Sequence, residues 1–105
     1  MIPVKDFKKE VIRWAAEIGV EPREIHVRPM RRKWASCSSR GRLSFSYALL
    51  DQPKDKRSYA IVHELLHLRY PSHNKIFKRA LSAYLSRRGI RNLDVLKDSQ
   101  PIPLT

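Results

Sequence analysis

The 105-residue chain is poor in several residue types, and each shortage narrows what the protein can be. Its single cysteine, Cys37, excludes an internal disulfide and fits a reducing compartment. No apolar run approaches the roughly 20 residues that a membrane-spanning helix needs. We therefore expect one cytoplasmic domain over residues 1–105, with a C-terminal tail over residues 90–105 and no membrane partner. The sequence leaves the oligomeric state open.

Acidic residues are also scarce. Ten Asp and Glu face 22 Lys and Arg, which gives a net charge of +12 and a pI near 10.5. A surface of this kind attracts phosphate backbones or acidic partners, and Trp34 and Tyr47 lie near basic clusters and could stack on bases. The clusters run along the whole chain, which favours an ordinary solvated surface and leaves nucleic acid as an alternative partner. They cover residues 28–33, 54–57, 75–79 and 87–91.

The residues that speak most directly to function are His63, Glu64 and His67, which form an H-E-x-x-H motif. Two histidines four residues apart lie on the same face of a helix, so their imidazoles can share one metal ion. Glu64 lies about 100° round the helix and can reach a metal-bound water. Apolar residues occupy the opposite stripe, so we expect an anchored helix whose histidine face is open. The motif predicts a zinc-dependent hydrolase that lacks one protein ligand.

The third ligand is constrained by another absence, because no glutamate follows Glu64 in the chain. His73 is the first candidate. Pro71 should end the metal helix near Tyr70, and Asn74 is a good N-cap for the next helix, so His73 sits on a short turn that can fold back. Asp94 and Asp98 are weaker candidates, since carboxylates also bind zinc. Cys37 is a further possible ligand, although a half-buried strand residue is the simpler interpretation.

The hydrophobic pattern predicts an α+β fold in which a small three-stranded sheet packs on three helices. The first helix should begin in the turn that holds Pro3 and end at Gly19. Strands are expected at residues 25–27, 33–36 and 43–47, with residues 38–41 as a hairpin turn. Residues 52–55 should form a loop before the metal helix. The last long helix should begin after Asn74 and be capped by Gly89.

Two segments around the motif make the chain recognisable. Residues 30–44 read MRRKWASCSSRGRLS, and residues 71–77 read PSHNKIF. Together with the H-E-x-x-H helix they resemble the YgjP-like family of zinc metallopeptidases, which is related to SprT-like and minimal gluzincin-type enzymes. The resemblance covers about residues 28–85. It implies a zincin-like minimal scaffold, Zn²⁺ held by His63, His67 and His73, and Glu64 as general base.

The chain departs from the family pattern at three positions. Ala35 replaces a glycine, Ser46 replaces an asparagine, and Lys78 replaces a tryptophan. Alanine in place of glycine is a mild change in a strand unless a substrate backbone must approach closely. Substrate specificity therefore does not carry over from the family.

Two functions from different classes follow from these residues. The first is a zinc peptidase acting on a peptide or protein that pairs with the edge strand at Trp34, Ala35 and Ser36. Its oxyanion donor would be Tyr70 or Tyr59, which lie toward the histidine face. The second is a basic, nucleic-acid-associated protein, as in SprT-like relatives, whose zinc is structural or vestigial.

The tail generates a prediction about latency. Residues 94–98 combine carboxylates with apolar side chains, and a tethered segment has a high effective concentration near its own cleft. A carboxylate there can take the open metal position. Deletion from Asp98 onward, and Asp94→Asn separately, should then raise peptidase activity at unchanged thermal stability. Equal activity in all three proteins would exclude latency, and loss of folding would show that the tail caps the core.

Overall fold

The computed structural model describes residues 1–90 of the chain. Three helices and a three-stranded mixed sheet confirm the predicted α+β class. The elements are α1 (Val4–Ile18), β1 (Glu24–Arg28), β2 (Ala35–Cys37), β3 (Arg42–Ser46), a 3₁₀ helix (Tyr47–Asp51), α2 (Lys54–Leu66) and α3 (Lys75–Arg87). Within residues 1–90, no helix is long and apolar enough to cross a membrane.

Helix α1 is amphipathic and covers one side of the core. Most of its apolar residues recur at three- and four-residue spacing, so they share one face, and that face is buried. Pro3 is the N-cap, one residue before the helix begins. Gly19 ends the helix at φ 82°, a left-handed conformation in which a side chain would be strained. The buried residues are Phe7, Val11, Trp14, Ala15 and Ile18; the spacing in the sequence predicts the same face, with Trp14 and Ala15 as alternatives.

The sheet places β3 in the centre, in the order β1-β3-β2. Strand β1 runs parallel to β3, whereas β2 and β3 form the antiparallel hairpin predicted around Gly41. Ser36 is opposite Ser44, the Ser46 N–H donates to the Trp34 carbonyl, and β2 has no other neighbour within residues 1–90. Hydrogen-bonding groups alternate along a strand, so the N–H and C=O of Ala35 and Cys37 point to the outer edge.

Helix α2 is enclosed by the rest of the domain, and the sequence analysis was wrong to leave its histidine face open. All nine residues from Ser58 to Leu66 are buried, including His63 at 8% exposure and Glu64 at 0%. The helix packs against α1 on one side and against β2 and α3 on others. Its apolar residues face the core, as predicted. The other side, which carries His63 and Glu64, is covered by neighbouring elements of the domain.

The bounds of α2 also differ from the prediction. It begins at Lys54, inside the expected loop, because the preceding residues form the unpredicted 3₁₀ helix. It ends at Leu66, and the N–H groups of His67, Leu68 and Arg69 then bond to carbonyls three residues back. These tighter bonds narrow the last turn before Pro71. His67 therefore occupies the C-cap, although it keeps right-handed helical angles.

Side-chain caps mark where α3 and the 3₁₀ helix begin. The Asn74 side chain accepts a hydrogen bond from the Phe77 N–H at 3.0 Å, so α3 begins where the sequence predicted. Ser46 caps the 3₁₀ helix by accepting from the Ala48 N–H at 3.2 Å. Asparagine also makes such caps, which explains why serine can replace the family residue here. Gly89 follows α3 at φ 79°. The expectations for residues 91–105 lie outside the described residues.

A partly buried ion pair joins α1 to α2 and generates a stability prediction. Arg57, at 11% exposure, donates to both carboxylate oxygens of Glu10 and to the Gln52 carbonyl. Glu10→Ala should destabilise the fold by about 3 kcal/mol, because it leaves a guanidinium poorly hydrated and without its anion. Glu17→Ala on the same helix is the control, since its partner Arg88 is 53% exposed and the loss should be at most about 1 kcal/mol. Equal losses in urea denaturation would contradict this ranking.

Candidate metal centre

Three imidazoles meet at one end of α2. The side chains of His63, His67 and His73 each offer a nitrogen, and these nitrogens all lie within 4.8 Å of one another. The Nε2 atoms of His67 and His73 are 2.9 Å apart. The ring centroids are separated by 4.7 to 5.0 Å. The structure thus brings together the three histidines that the sequence analysis selected, from two different segments.

Local chain geometry explains this convergence. The four-residue spacing of His63 and His67 places both rings on one side of α2. Pro71 then turns the chain, and the Asn74 cap begins α3. His73, immediately before that cap, is exposed to solvent, whereas His63 is buried. The site therefore has a closed side within the domain and an open side at the turn between the helices.

Phe77 is a site residue whose role the sequence did not reveal. Its ring lies 5.1, 4.8 and 4.9 Å from the rings of His63, His67 and His73, and it is 1% exposed. One buried aromatic ring thus contacts all three imidazoles and limits their rotation. No local sequence pattern signals this contact, because it joins α2, the turn after it and α3.

The hydrogen bonds around His67 fit a metal ligand. Its Nδ1 lies 3.3 Å from the Tyr70 carbonyl, which can only accept, so Nδ1 carries the proton and donates. The lone pair then lies on Nε2, the atom beside His73. Histidines that bind metals commonly donate their other N–H in this way. In a tetrahedral zinc site with 2.0–2.1 Å bonds, nitrogen ligands are roughly 3.3 Å apart, a spacing the observed separations bracket. The three residues therefore fit a metal ion.

Glu64 lies on α2, which packs against the edge strand β2. It is fully buried, and its charge acts on the thiol of Cys37 in β2. Burial, and then the Glu64 carboxylate, raise the pKa of the Cys37 thiol from 9.0 to about 11. Cys37 is half-buried in a strand, as predicted. It is not part of the histidine cluster.

The remaining predicted site residues lie on α2, on the turn after it, and in or just before β2. Tyr59 is buried one turn before His63, with its ring 6.1 Å away, and burial raises the pKa of its phenol. Tyr70 contributes its backbone carbonyl to His67. Ala35 is fully buried in β2 and Ser36 follows it, whereas Trp34 precedes the strand and packs against the core.

The raised pKa of Cys37 generates a pH prediction for the metal-free protein. Only the thiolate reacts with iodoacetamide, so at pH 7 to 8 alkylation should be about 100-fold slower than for an ordinary cysteine. The rate should rise about tenfold per pH unit and level off only near pH 11. Glu64→Gln should move the profile toward lower pH, because it removes a neighbouring negative charge. A plateau near pH 9 in both proteins, measured by mass spectrometry, would contradict this placement of Glu64.

Comparison with known proteins identifies the family. The family model described as YgjP-like, metallopeptidase domain, matches residues 4–92. The metallopeptidase zymogen abylysin of Pyrococcus abyssi is 18% identical, with 91% of this chain and 98% of that chain covered at a TM-score of 0.68. The metallopeptidase zymogen jannalysin of Methanocaldococcus jannaschii is 24% identical, with 90% and 97% covered at a TM-score of 0.70. No curated protein sequence matches. The chain belongs to the YgjP-like metallopeptidase family.

Proposed function

We propose that the protein is a zinc peptidase in which His63, His67 and His73 hold the metal and Glu64 is the general base. The observation that carries this proposal is the convergence of three imidazole nitrogens within 4.8 Å at the end of a helix that also bears a glutamate. Membership of a metallopeptidase family supports peptide bonds as the substrate.

Zinc suits this donor set. Three neutral imidazoles are a common ligand set for catalytic zinc, which keeps a fourth position for water or substrate. When bound, zinc lowers the pKa of its water and polarises the scissile carbonyl. The protein must hold the three imidazole rings in position while peptides bind and leave. The Phe77 ring packs against all three imidazoles, and the Tyr70 carbonyl orients the ring of His67.

Glu64 would move the proton. A carboxylate oxygen of Glu64 accepts the proton of the attacking water and then gives it to the nitrogen of the leaving amine. The residue is fully buried on α2, beside the edge strand, so its orientation is determined by packing. A fixed carboxylate loses little conformational freedom at the moment of reaction.

The edge strand β2 would hold the substrate. Its outer edge presents the N–H and C=O groups of Ala35 and Cys37, and an extended peptide can pair with them as an added strand. The same strand contacts α2. A peptide bound there lies alongside Glu64. For the developing oxyanion we propose Tyr59 ahead of Tyr70, because the Tyr59 ring lies 6.1 Å from the ring of His63, one helical turn away.

We also propose that the chain is made in a latent form. Abylysin and jannalysin, two solved structures of similar fold, are metallopeptidase zymogens, which supports the expectation drawn from Asp94 and Asp98. Those two residues lie outside the described part of the chain. Activity should therefore be measured with and without the tail.

The metal proposal predicts about one zinc per chain and a specific need for His73. His73→Ala should weaken zinc affinity by at least about tenfold, because only two of the protein ligands remain. The fourth histidine provides the control, since His26 is exposed on β1 and outside the cluster. His26→Ala should bind zinc like the wild type in competition with a chromogenic chelator. Equal affinity in both variants would remove His73 from the site.

The mechanism predicts that Glu64→Gln keeps zinc but loses hydrolysis by about 100-fold or more. Glutamine preserves shape and polarity but cannot take the proton. Zinc content and cleavage of a quenched fluorescent peptide library should be measured on the same samples, in the tail-deleted background. Full activity of the variant would exclude Glu64 as the base. An inactive parent with tightly held zinc would favour the structural-zinc alternative.

A further inference from the structure

A basic groove lies next to the candidate metal centre. Three loops form it: residues 19–23 between α1 and β1, residues 39–41 between β2 and β3, and residues 68–69 after α2. The groove is open to solvent and has a volume of about 480 Å³. It therefore lies where both the metal helix and the edge strand end.

Each loop contributes an exposed arginine to the groove, namely Arg23, Arg40 and Arg69. Within residues 1–90, none of these three forms an ion pair with a carboxylate. Elsewhere in the fold Arg42, Arg57 and Arg88 are paired with glutamates. The one acidic residue that lines the groove is Glu21, so the lining carries a net charge of +2 (three arginines minus one glutamate).

The groove is preformed by contacts between its loops. The Arg23 N–H donates to the Gly41 carbonyl at 2.9 Å, which joins the first loop to the hairpin turn. Gly41 has φ 85°, and a Cβ there would lie 3.3 Å from the Arg23 side chain, so the close approach depends on glycine. Arg69 Nη2 lies 3.5 Å from the carbonyl of Gly19. A preformed site loses less entropy when a ligand binds.

The groove continues the proposed path of the substrate. Arg69 follows His67 by two residues, so their Cα atoms are at most about 7 Å apart. Arg40 follows Cys37 by three residues, so their Cα atoms are at most about 10 Å apart. A peptide paired with β2 and running past Cys37 therefore enters the groove two to four residues from the position beside Glu64.

We propose that this groove binds acidic side chains of the substrate, so that the enzyme selects peptides with Asp or Glu two to four residues to one side of the scissile bond. The inference rests on the proposed peptidase function. Guanidinium groups match carboxylates in charge and can bind them through two parallel hydrogen bonds. Lysine-rich peptides are disfavoured by the same charges.

The test uses a peptide series in which one glutamate is moved along an otherwise neutral sequence. The full chain, or the tail-deleted protein where the full chain is latent, should cleave peptides with glutamate on one side at about fivefold higher kcat/KM than the neutral parent, the size expected for exposed ion pairs. Arg40→Gln with Arg69→Gln should abolish that preference, so that the ratio of kcat/KM between the glutamate and neutral peptides falls to about one. Arg79→Gln with Arg87→Gln on α3 removes the same charge outside the groove and should keep the preference. High salt should weaken it.

Binding provides a readout that is independent of cleavage. Zinc-loaded Glu64→Gln should bind the fluorescein-labelled glutamate peptide more tightly than the neutral parent, and Arg40→Glu with Arg69→Glu in that background should prefer a lysine peptide. Failure of both the full chain and the tail-deleted protein to cleave any peptide would overturn the peptidase proposal, while the binding ratio still decides the inference about the groove. An unchanged glutamate-to-neutral ratio in the groove variants would overturn that inference. If the groove variants keep the glutamate-to-neutral ratio but no longer bind a single-stranded oligonucleotide, the groove binds nucleic acid. That outcome would also overturn the inference.

Discussion

The packing of Phe77 beneath three histidines is the contact on which the rest of the site depends. The ring is buried at the start of α3 and lies about 5 Å from each imidazole. Two histidines come from α2 and one from the turn that follows, so no single helix can align them. The Asn74 cap determines where α3 begins and therefore where Phe77 meets His73. The metal centre is in this sense a consequence of how α2 packs on α3.

The sheet extends this centre into a binding surface. With β3 in the middle, β2 lies at an edge and also packs against α2. The same short strand thereby places backbone hydrogen-bonding groups beside Glu64 and leads toward the arginines of the adjacent groove. In the described 90 residues, the candidate metal ligands, the proposed base and the proposed substrate edge are thus carried by α2, the turn after it and β2. A domain of this size can carry such a candidate site because the same elements also form its core.

Local sequence patterns predicted the parts of the fold that depend on nearby residues. The apolar stripe of α1, the Asn74 cap and the spacing of His63 and His67 follow from helical periodicity and capping, and the structure confirms them. Features that depend on distant contacts were missed. The parallel pairing of β1 with β3, the burial of Glu64 and the contact of Phe77 with three histidines each join segments that lie apart in the sequence. The end of α2 was placed too late because Pro71 acts through a tightened last turn.

X-ray absorption spectroscopy of the zinc-loaded, tail-deleted protein tests the central claim most directly. The account predicts three imidazole nitrogens at about 2.0–2.1 Å and one water oxygen, the open coordination of a catalytic site. A sulfur neighbour at about 2.3 Å would place Cys37 on the metal, and four protein ligands without water would make the site structural. Either result would contradict a peptidase built on His63, His67, His73 and Glu64.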